Sequence, residues 1–322
     1  MTLAFAMSRR TIICLIILYR KKNVTITCRS VFELHGIGPA RKRSNKNRVA
    51  LTCTAFICEL RRLFGRVTVL FVVLPELYET GTLPYFCHFV FGHFLMINIV
   101  GNFTFAVLCD TSTRQIVAPS ETAKSEDGWR LCASCEALAP PRSWHCPTCD
   151  TCILKRDHHC IFTGCCVGHY NHRYFLMFIF YLFVATTYAF FYNNYFIWNR
   201  IEFDFPVSVV KIVFPLAIFV FGFDPSMEQF YLMLYIVSVV GMCFTGVLCV
   251  YHFHLALTGS VSDERAKGIK KYDLGWRRNV VEVFGERWYL TWSLPYVTSK
   301  LTHRGISWHT QETWKLGSTK AR

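Results

Sequence analysis

The stretch that decides the fold runs from Cys132 to Asn171 and reads CASCEALAPPRSWHCPTCDTCILKRDHHCIFTGCCVGHYN. It holds eight of the sixteen cysteines in the chain. Two separate Cys-x2-Cys turns begin at Cys132 and Cys146, and a turn of this kind presents two sulfurs to one metal ion without strain. The spacing therefore predicts a metal-stapled module.

The ligand count of this module points to two zinc ions. A tetrahedral structural zinc site takes four thiolate or imidazole ligands, so two turns imply eight ligands. The segment supplies six cysteines and two histidines if Cys160 and one member of the Cys165/Cys166 pair are left free. Spacing alone does not say which of the neighbours His145 and Cys146 binds which ion, so sequential and interleaved pairing both stay open.

Cys160 is the thiol outside this count, and it directly follows Asp157, His158 and His159. The thiolate is the attacking species of a cysteine, and a neighbouring imidazole lowers the pKa of the thiol toward working pH. An aspartate beside the histidine can fix its tautomer and stabilise the imidazolium. We therefore predict that Cys160 is a nucleophile. The alternative is a buried structural thiol beside an Asp157-His158 pair that merely closes a zinc loop.

The rest of the chain is apolar, with 52% hydrophobic and 16% aromatic residues, more than an average soluble domain carries. A helix that crosses a bilayer needs ~20 predominantly apolar residues. Three stretches reach that length: about 84–108, 174–198 and 230–257. A shorter run, Val67 to Tyr78, is predicted as the first span, with snorkelling flanks. The segment Val207 to Phe223 is predicted to dip into the membrane from the lumenal side.

The formal net charge of +14 is unevenly distributed along the chain. Residues 1–66 hold fourteen Lys and Arg against two acidic residues, which places this segment on the cytosolic side by the positive-inside rule. The charge therefore predicts topology, and no nucleic-acid partner is expected. The predicted fold is an α-helical multi-pass membrane protein of about four transmembrane helices. Its cysteine-rich two-zinc module lies between spans two and three, on the cytosolic side with both termini.

The chain divides into five predicted parts. They are a basic cytosolic segment (1–64), spans one and two (65–109), the cysteine-rich zinc domain (110–173), spans three and four with the lumenal or re-entrant segment (174–257) and a basic cytosolic tail (258–322). A cytosolic place for the module also argues against disulfides, because that compartment is reducing.

The module resembles the cysteine-rich domain of the DHHC family of protein S-acyltransferases. The match is Cys-x2-Cys-x9-His-Cys-x2-Cys-x2-Cys-x4-Asp-His-His-Cys-x5-Cys-Val-Gly-x2-Asn, and it runs from Cys132 to Asn171 with no insertion. The likeness covers roughly residues 65–295, because the placement between spans and the basic tail match as well. Residues 272–285 also look like the C-terminal motif of the family, whose Asn, here Asn279, would tie this segment to the catalytic module.

The resemblance implies a role for each residue of the module. One zinc ion would be held by Cys132, Cys135, His145 and Cys152, and the other by Cys146, Cys149, His159 and Cys166. The catalytic set would be Cys160 as the nucleophile that carries the S-palmitoyl intermediate, His158 as the base and Asp157 as the residue that orients His158.

The resemblance also implies the reaction and its partners. Palmitoyl-CoA would donate the acyl group, and cysteine-bearing proteins would receive it. Membrane lipid is an expected partner, homo- or hetero-oligomers stay open, and the expected location is the ER and/or the Golgi. Basic residues near the interface, Lys155, Arg156 and Arg173, are candidates for contact with the CoA phosphates.

Three motifs depart from the family pattern. The Asp-Pro-Gly after the second span appears as Asp110-Thr111-Ser112, and the Thr-Thr-x-Glu after the last span as Val261-Ser262-Asp263-Glu264. Phe162 stands where a Trp is usual. The lost Thr hydroxyl is expected to weaken the orientation of Asp157. Within the family, the chain looks closest to a divergent subgroup around the vertebrate member numbered twenty-four.

Two other functions are alternatives to acyl transfer. A catalytically weak relative would use the zinc module as a membrane adaptor, and it would keep both zinc ions without acyl turnover. A membrane RING-type ubiquitin ligase is disfavoured, because a RING ends in a further Cys-x2-Cys pair, whereas this series ends in Asp157-His158-His159-Cys160 and an isolated Cys166.

Overall fold

The structure, a computed structural model, describes residues 74–116, 128–199, 204–214, 217–218, 221 and 226–314. The basic segment 1–64 lies outside the described residues. So does most of the predicted first span, of which the four-residue helix α1, Leu74–Leu77, is described.

Three long helices form the apolar part of the residues that the structure describes. They are α2 (Leu83–Leu108), α3 (His172–Trp198) and α5 (Met227–Leu257), and a short helix, α4 (Val207–Val213), precedes the last. Each of the three is long and apolar enough to cross a membrane, which confirms the three long apolar stretches of the sequence. Whether the segment around α4 crosses stays a prediction.

Local chemistry explains where two of these helices begin. Pro84 lies in the first turn of α2, where its missing N–H has no intrahelical acceptor to lose. The Ser226 hydroxyl caps α5 by accepting a 3.2 Å hydrogen bond from the Gln229 amide.

Helix α3 packs against both α2 and α5. Helices in lipid gain little from hydrophobic burial, so close approach depends on small residues. Gly246 of α5 is such a residue, since a Cβ there would lie 3.0 Å from the Phe183 ring. The hydroxyls of Thr186 and Thr245 lie 3.3 Å apart in the same contact.

The cysteine-rich module consists of three two-stranded antiparallel hairpins. Their strands are β1 (Arg130–Cys132) with β2 (Ala137–Ala139), β3 (Trp144–Cys146) with β4 (Thr151–Ile153), and β5 (His158–Cys160) with β6 (Cys165–Val167). The module follows α2 and leads directly into α3, so it sits at one end of the helices. A single buried apolar cluster joins Phe103, Phe178, Cys160 and Val283.

The short helices α6 (Ser262–Ala266) and α7 (Trp276–Phe284) follow α5. An apolar and basic composition continues from Trp276 to Trp292, but α7 ends at Phe284. It ends because Gly285 adopts φ 82°, a conformation that L side chains rarely take. A Cβ at Gly285 would also lie 2.4 Å from the Ser299 hydroxyl.

Candidate active site and metal clusters

Eight Cys and His side chains of the module gather into two clusters of four. Within each cluster the donor atoms lie within 4.8 Å of one another. One cluster is Cys132, Cys135, His145 and Cys152, and the other is Cys146, Cys149, His159 and Cys166.

Strand geometry explains why the two clusters interleave. Successive side chains on a strand point to opposite faces, so the neighbours His145 and Cys146 on β3 enter different clusters. Cross-strand pairing then adds a partner to each, because His145 lies opposite Cys152 in the second hairpin and His159 opposite Cys166 in the third.

The donor separations fit zinc. With Zn–S of ~2.3 Å and Zn–N of ~2.0–2.1 Å, a tetrahedral site puts two sulfurs ~3.8 Å apart and a sulfur and a nitrogen ~3.6 Å apart. The Sγ atoms of Cys149 and Cys166 are 3.8 Å apart, as are those of Cys135 and Cys152. The Nδ1 atom of His159 lies 3.4 Å from the Cys149 sulfur and 3.7 Å from the Cys166 sulfur.

The same alternation brings His158 and Cys160 to one face of β5, opposite the face that carries His159. Asp157 precedes this strand, and its Oδ2 atom lies 2.7 Å from His158 Nδ1. Asp157 and Cys160 are buried, whereas the His158 side chain is 30% exposed. The structure therefore places His158 beside Asp157, to which it is hydrogen-bonded, and on the same face of the strand as Cys160.

Electrostatics within this arrangement favours an imidazolium and a thiolate. Burial opposes the charge on His158, but its hydrogen bonds to Asp157 and Cys160 raise the pKa of His158 to about 9. Burial also opposes a Cys160 thiolate, yet hydrogen bonds from His158 and Thr163 hold the pKa of Cys160 below its ordinary value. Contacts with His158 and His252 likewise overcome burial and keep the pKa of Asp157 well below its usual range.

The altered motif after α5 retains a hydroxyl at the site, contrary to the expected loss. The Ser262 hydroxyl donates to Asp157 Oδ1 at 2.8 Å, and the Ser262 amide donates to the same oxygen at 2.6 Å. The expected loss was wrong because the hydroxyl is what Asp157 needs, and a Ser hydroxyl donates a hydrogen bond as a Thr hydroxyl does.

A buried ion pair joins the module to the same segment. Arg142 donates to both carboxylate oxygens of Glu264, at 2.7 and 2.6 Å, and to the Gly259 carbonyl at 2.7 Å. The side chains of Arg142 and Glu264 are 1% and 6% exposed. The sequence carries no signal for this pair, because nothing in the spacing links Arg142 to a residue 122 positions away.

Asn279 has other contacts than the resemblance to the family implies. Asn279 was expected to bind the catalytic module, but its amide donates to the Leu257 carbonyl at 2.8 Å and to Asp273 Oδ1 at 2.7 Å. It therefore ties α7 to the end of α5.

Two of the three basic residues expected to contact the CoA phosphates are buried and therefore cannot do so as expected. The side chains of Lys155 and Arg173 are buried, at 2% and 5% exposure. Arg173 donates to the carbonyls of Val297 and Ser299 instead. Of the three basic candidates only Arg156 is partly exposed.

His252 of α5 completes the surroundings of Asp157. Its Nδ1 atom lies 3.4 Å from Asp157 Oδ2, and the side chain is buried. The sequence held one signal for it, since an ionisable residue in an apolar span is a functional candidate by default.

Comparison with known proteins gives consistent results. A profile of the DHHC palmitoyltransferase family matches residues 125–269. The mouse protein named "Probable palmitoyltransferase ZDHHC24" is 31% identical over 221 residues, which cover 67% of this chain and 75% of the mouse protein. Its zebrafish counterpart is 32% identical over 68% of this chain and 74% of its own length. Rat "Palmitoyltransferase ZDHHC22" is 31% identical over 71% of this chain and 86% of its own length.

Proposed function

Because this chain belongs to the DHHC palmitoyltransferase family and is therefore a protein S-acyltransferase, we propose that Cys160 carries the acyl group between donor and acceptor. The donor is palmitoyl-CoA, and the acceptor is a cysteine of a substrate protein. One observation carries this proposal: His158 and Cys160 share a face of β5, and His158 Nδ1 is hydrogen-bonded to Asp157 Oδ2 at 2.7 Å.

In the first half-reaction, His158 takes the proton of the Cys160 thiol, and the thiolate attacks the thioester carbonyl of palmitoyl-CoA. A new bond forms between Cys160 Sγ and the acyl carbon, and the bond to the CoA sulfur breaks. The CoA thiolate leaves with the proton from His158. This is covalent catalysis with an activated nucleophile.

In the second half-reaction, His158 takes a proton from the thiol of the substrate cysteine. The resulting thiolate attacks the acyl-enzyme, and Cys160 leaves as a thiolate that the His158 imidazolium stabilises. Asp157 keeps the His158 Nδ1 atom hydrogen-bonded in both steps, so the Nε2 atom is the one that moves the proton.

We assign the two zinc ions to the two four-residue clusters, each with a closed set of four protein ligands. Such sites are structural and contribute folding free energy. The ion in the cluster of Cys146, Cys149, His159 and Cys166 would hold β5, since His159 anchors this strand between His158 and Cys160. No step of the reaction needs a zinc-bound substrate.

The place of Cys160 at the end of the helices suits an acyl donor at a membrane surface. Each methylene of a fatty chain gains ~0.8 kcal/mol on leaving water, and Cys160 belongs to the same buried apolar cluster as residues of α2, α3 and α5. We propose four crossings, counting Val67 to Tyr78, with the zinc module and both termini in the cytosol. An ER or Golgi membrane, contact with membrane lipid and homo- or hetero-oligomers are part of the same proposal.

The test is metabolic or in vitro labelling with an alkyne-bearing palmitoyl analogue, comparing the native chain with Cys160→Ser and Cys160→Ala. We expect a hydroxylamine-sensitive label on the native chain and none on either variant, with two zinc ions per chain in all three. A label that persists in the variants would overturn the role of Cys160. A native chain with two zinc ions and no label would instead support a membrane adaptor.

A further inference from the structure

His252 lies in an unusual position for an imidazole. It is 4% exposed and lies five residues before the end of α5, an apolar helix long enough to cross a membrane. Its ring packs between aromatic groups, at 4.9 Å from Phe175 and 5.1 Å from His158. An imidazole buried among such groups costs free energy unless a polar partner compensates it.

The nearest such partner is the carboxylate of Asp157. Within the described part of the chain, His252 Nδ1 makes no aligned hydrogen bond, and it lies 3.4 Å from Asp157 Oδ2. A small rotation of either side chain would complete a hydrogen bond at this distance. A hydrogen bond to the Asp157 carboxylate would therefore offset the free-energy cost of burying the His252 imidazole.

The carboxylate has room for this donor. Its Oδ1 atom already accepts two hydrogen bonds from Ser262, whereas Oδ2 accepts only that of His158 in aligned geometry. Each carboxylate oxygen can accept two hydrogen bonds. Oδ2 can therefore accept a second hydrogen bond, and His252 Nδ1 lies 3.4 Å from it.

We infer that His252 is a positioning residue for acyl transfer. It donates to Asp157 Oδ2 and holds the carboxylate in the plane that keeps His158 aimed at Cys160. Asp157 is then held from two elements, by Ser262 at the start of α6 and by His252 within α5. The inference rests on the proposed function, since it gives His252 a role in the same reaction.

Three substitutions separate positioning from packing. His252→Leu fills the space and removes the donor, His252→Asn retains a donor near the place of Nδ1, and His252→Gln retains an amide whose donor lies about one bond further out. His254→Leu is the matched control, because it removes an exposed imidazole from the same helix. The measurement is the initial rate of acyl-enzyme formation in the full-length protein, with zinc content per chain.

Since a positioned base contributes ~10²–10⁴-fold to a rate, we expect partial misorientation in His252→Leu to slow acyl-enzyme formation ~10-fold. His252→Asn should come within ~3-fold of the native rate, and His252→Gln should be as slow as His252→Leu. His254→Leu should match the native rate, and all variants should keep two zinc ions. Native rates in both His252→Leu and His252→Gln would overturn the inference, as would equal rates in His252→Asn and His252→Gln.

The Asn and Gln pair decides the question even if His252→Leu fails to fold, because both amides are polar. Failure of this inference is also distinct from failure of the proposed function. In the first case the native chain is labelled at Cys160, and His252→Asn and His252→Gln have equal rates, whether fast or slow. In the second, the native chain carries no label that depends on Cys160.

Discussion

The hydroxyl of Ser262 donates a 2.8 Å hydrogen bond to Asp157 Oδ1 across 105 residues of chain. Because the Ser262 amide donates to the same oxygen at 2.6 Å, the start of α6 acts as a two-point clamp on the Asp157 carboxylate. The clamp couples the segment that follows α5 to the geometry of the Asp157-His158 pair.

Removal of this hydroxyl should slow the reaction without abolishing it. A hydrogen bond to a charged group contributes ~1.5–3 kcal/mol, and the amide bond remains, so we expect Ser262→Ala to slow acyl-enzyme formation ~10-fold. Ser262→Thr keeps the hydroxyl and should stay within ~2-fold of the native rate. The measurement is the initial rate of labelling by the alkyne analogue. Equal rates in Ser262→Ala and Ser262→Thr would contradict the clamp.

The reactivity of Cys160 should depend on pH in a way that His158 controls. The bond to His158 lowers the pKa of Cys160, and the pKa of His158 is about 9. The native thiol should therefore be alkylated at its full rate below the ordinary thiol pKa of ~8.5. His158→Gln removes the imidazolium and leaves burial, which raises the pKa, so the profile should move to higher pH. The measurement is iodoacetamide alkylation of the Cys160 peptide by mass spectrometry, and an unchanged profile would be evidence against the pair.

Loss of one zinc ligand should have different consequences in the two clusters. Cys132→Ser and Cys166→Ser each leave three donors in one cluster, and we expect zinc content to fall from two ions to about one in both. Labelling should suffer more in Cys166→Ser, because its cluster contains His159, which lies between His158 and Cys160 on β5. Cys243→Ser, an exposed thiol of α5, is the control. Equal labelling in the two ligand variants would rule out the special role of the second cluster.

The Arg142–Glu264 pair should be strongly coupled in stability. Removal of one partner of a buried ion pair typically costs ~3–5 kcal/mol, because the other charge is left uncompensated. We expect Arg142→Ala and Glu264→Ala each to lower the Tm by on the order of 10 °C, and the double variant to lose much less than the sum. The measurement is thermal unfolding of the detergent-purified protein. Additive losses would show that the pair is not coupled.

Much of the architecture was predictable because it depends on local features. An apolar stretch of membrane length forms a helix in lipid whatever its neighbours are, and 84–108, 174–198 and 230–257 were recognised on that basis. Turn spacing likewise predicts eight metal donors, whereas the choice of Cys166 over Cys165 came from the resemblance to the family. The end of α7 at Phe284 does not follow from composition, because the apolar and basic composition continues to Trp292 while the backbone turns at Gly285.

The sequence by itself determined the family and the number of Cys and His donors, because residue type and covalent spacing suffice for both. The resemblance to the family implied how the adjacent donors His145 and Cys146 separate, and the strand that alternates their side chains gives the physical reason. Only the tertiary structure decided that His252 and Ser262 meet Asp157. Those contacts join residues about a hundred positions apart. They depend on the packing of α5 and α6 against the zinc module, which local spacing does not specify.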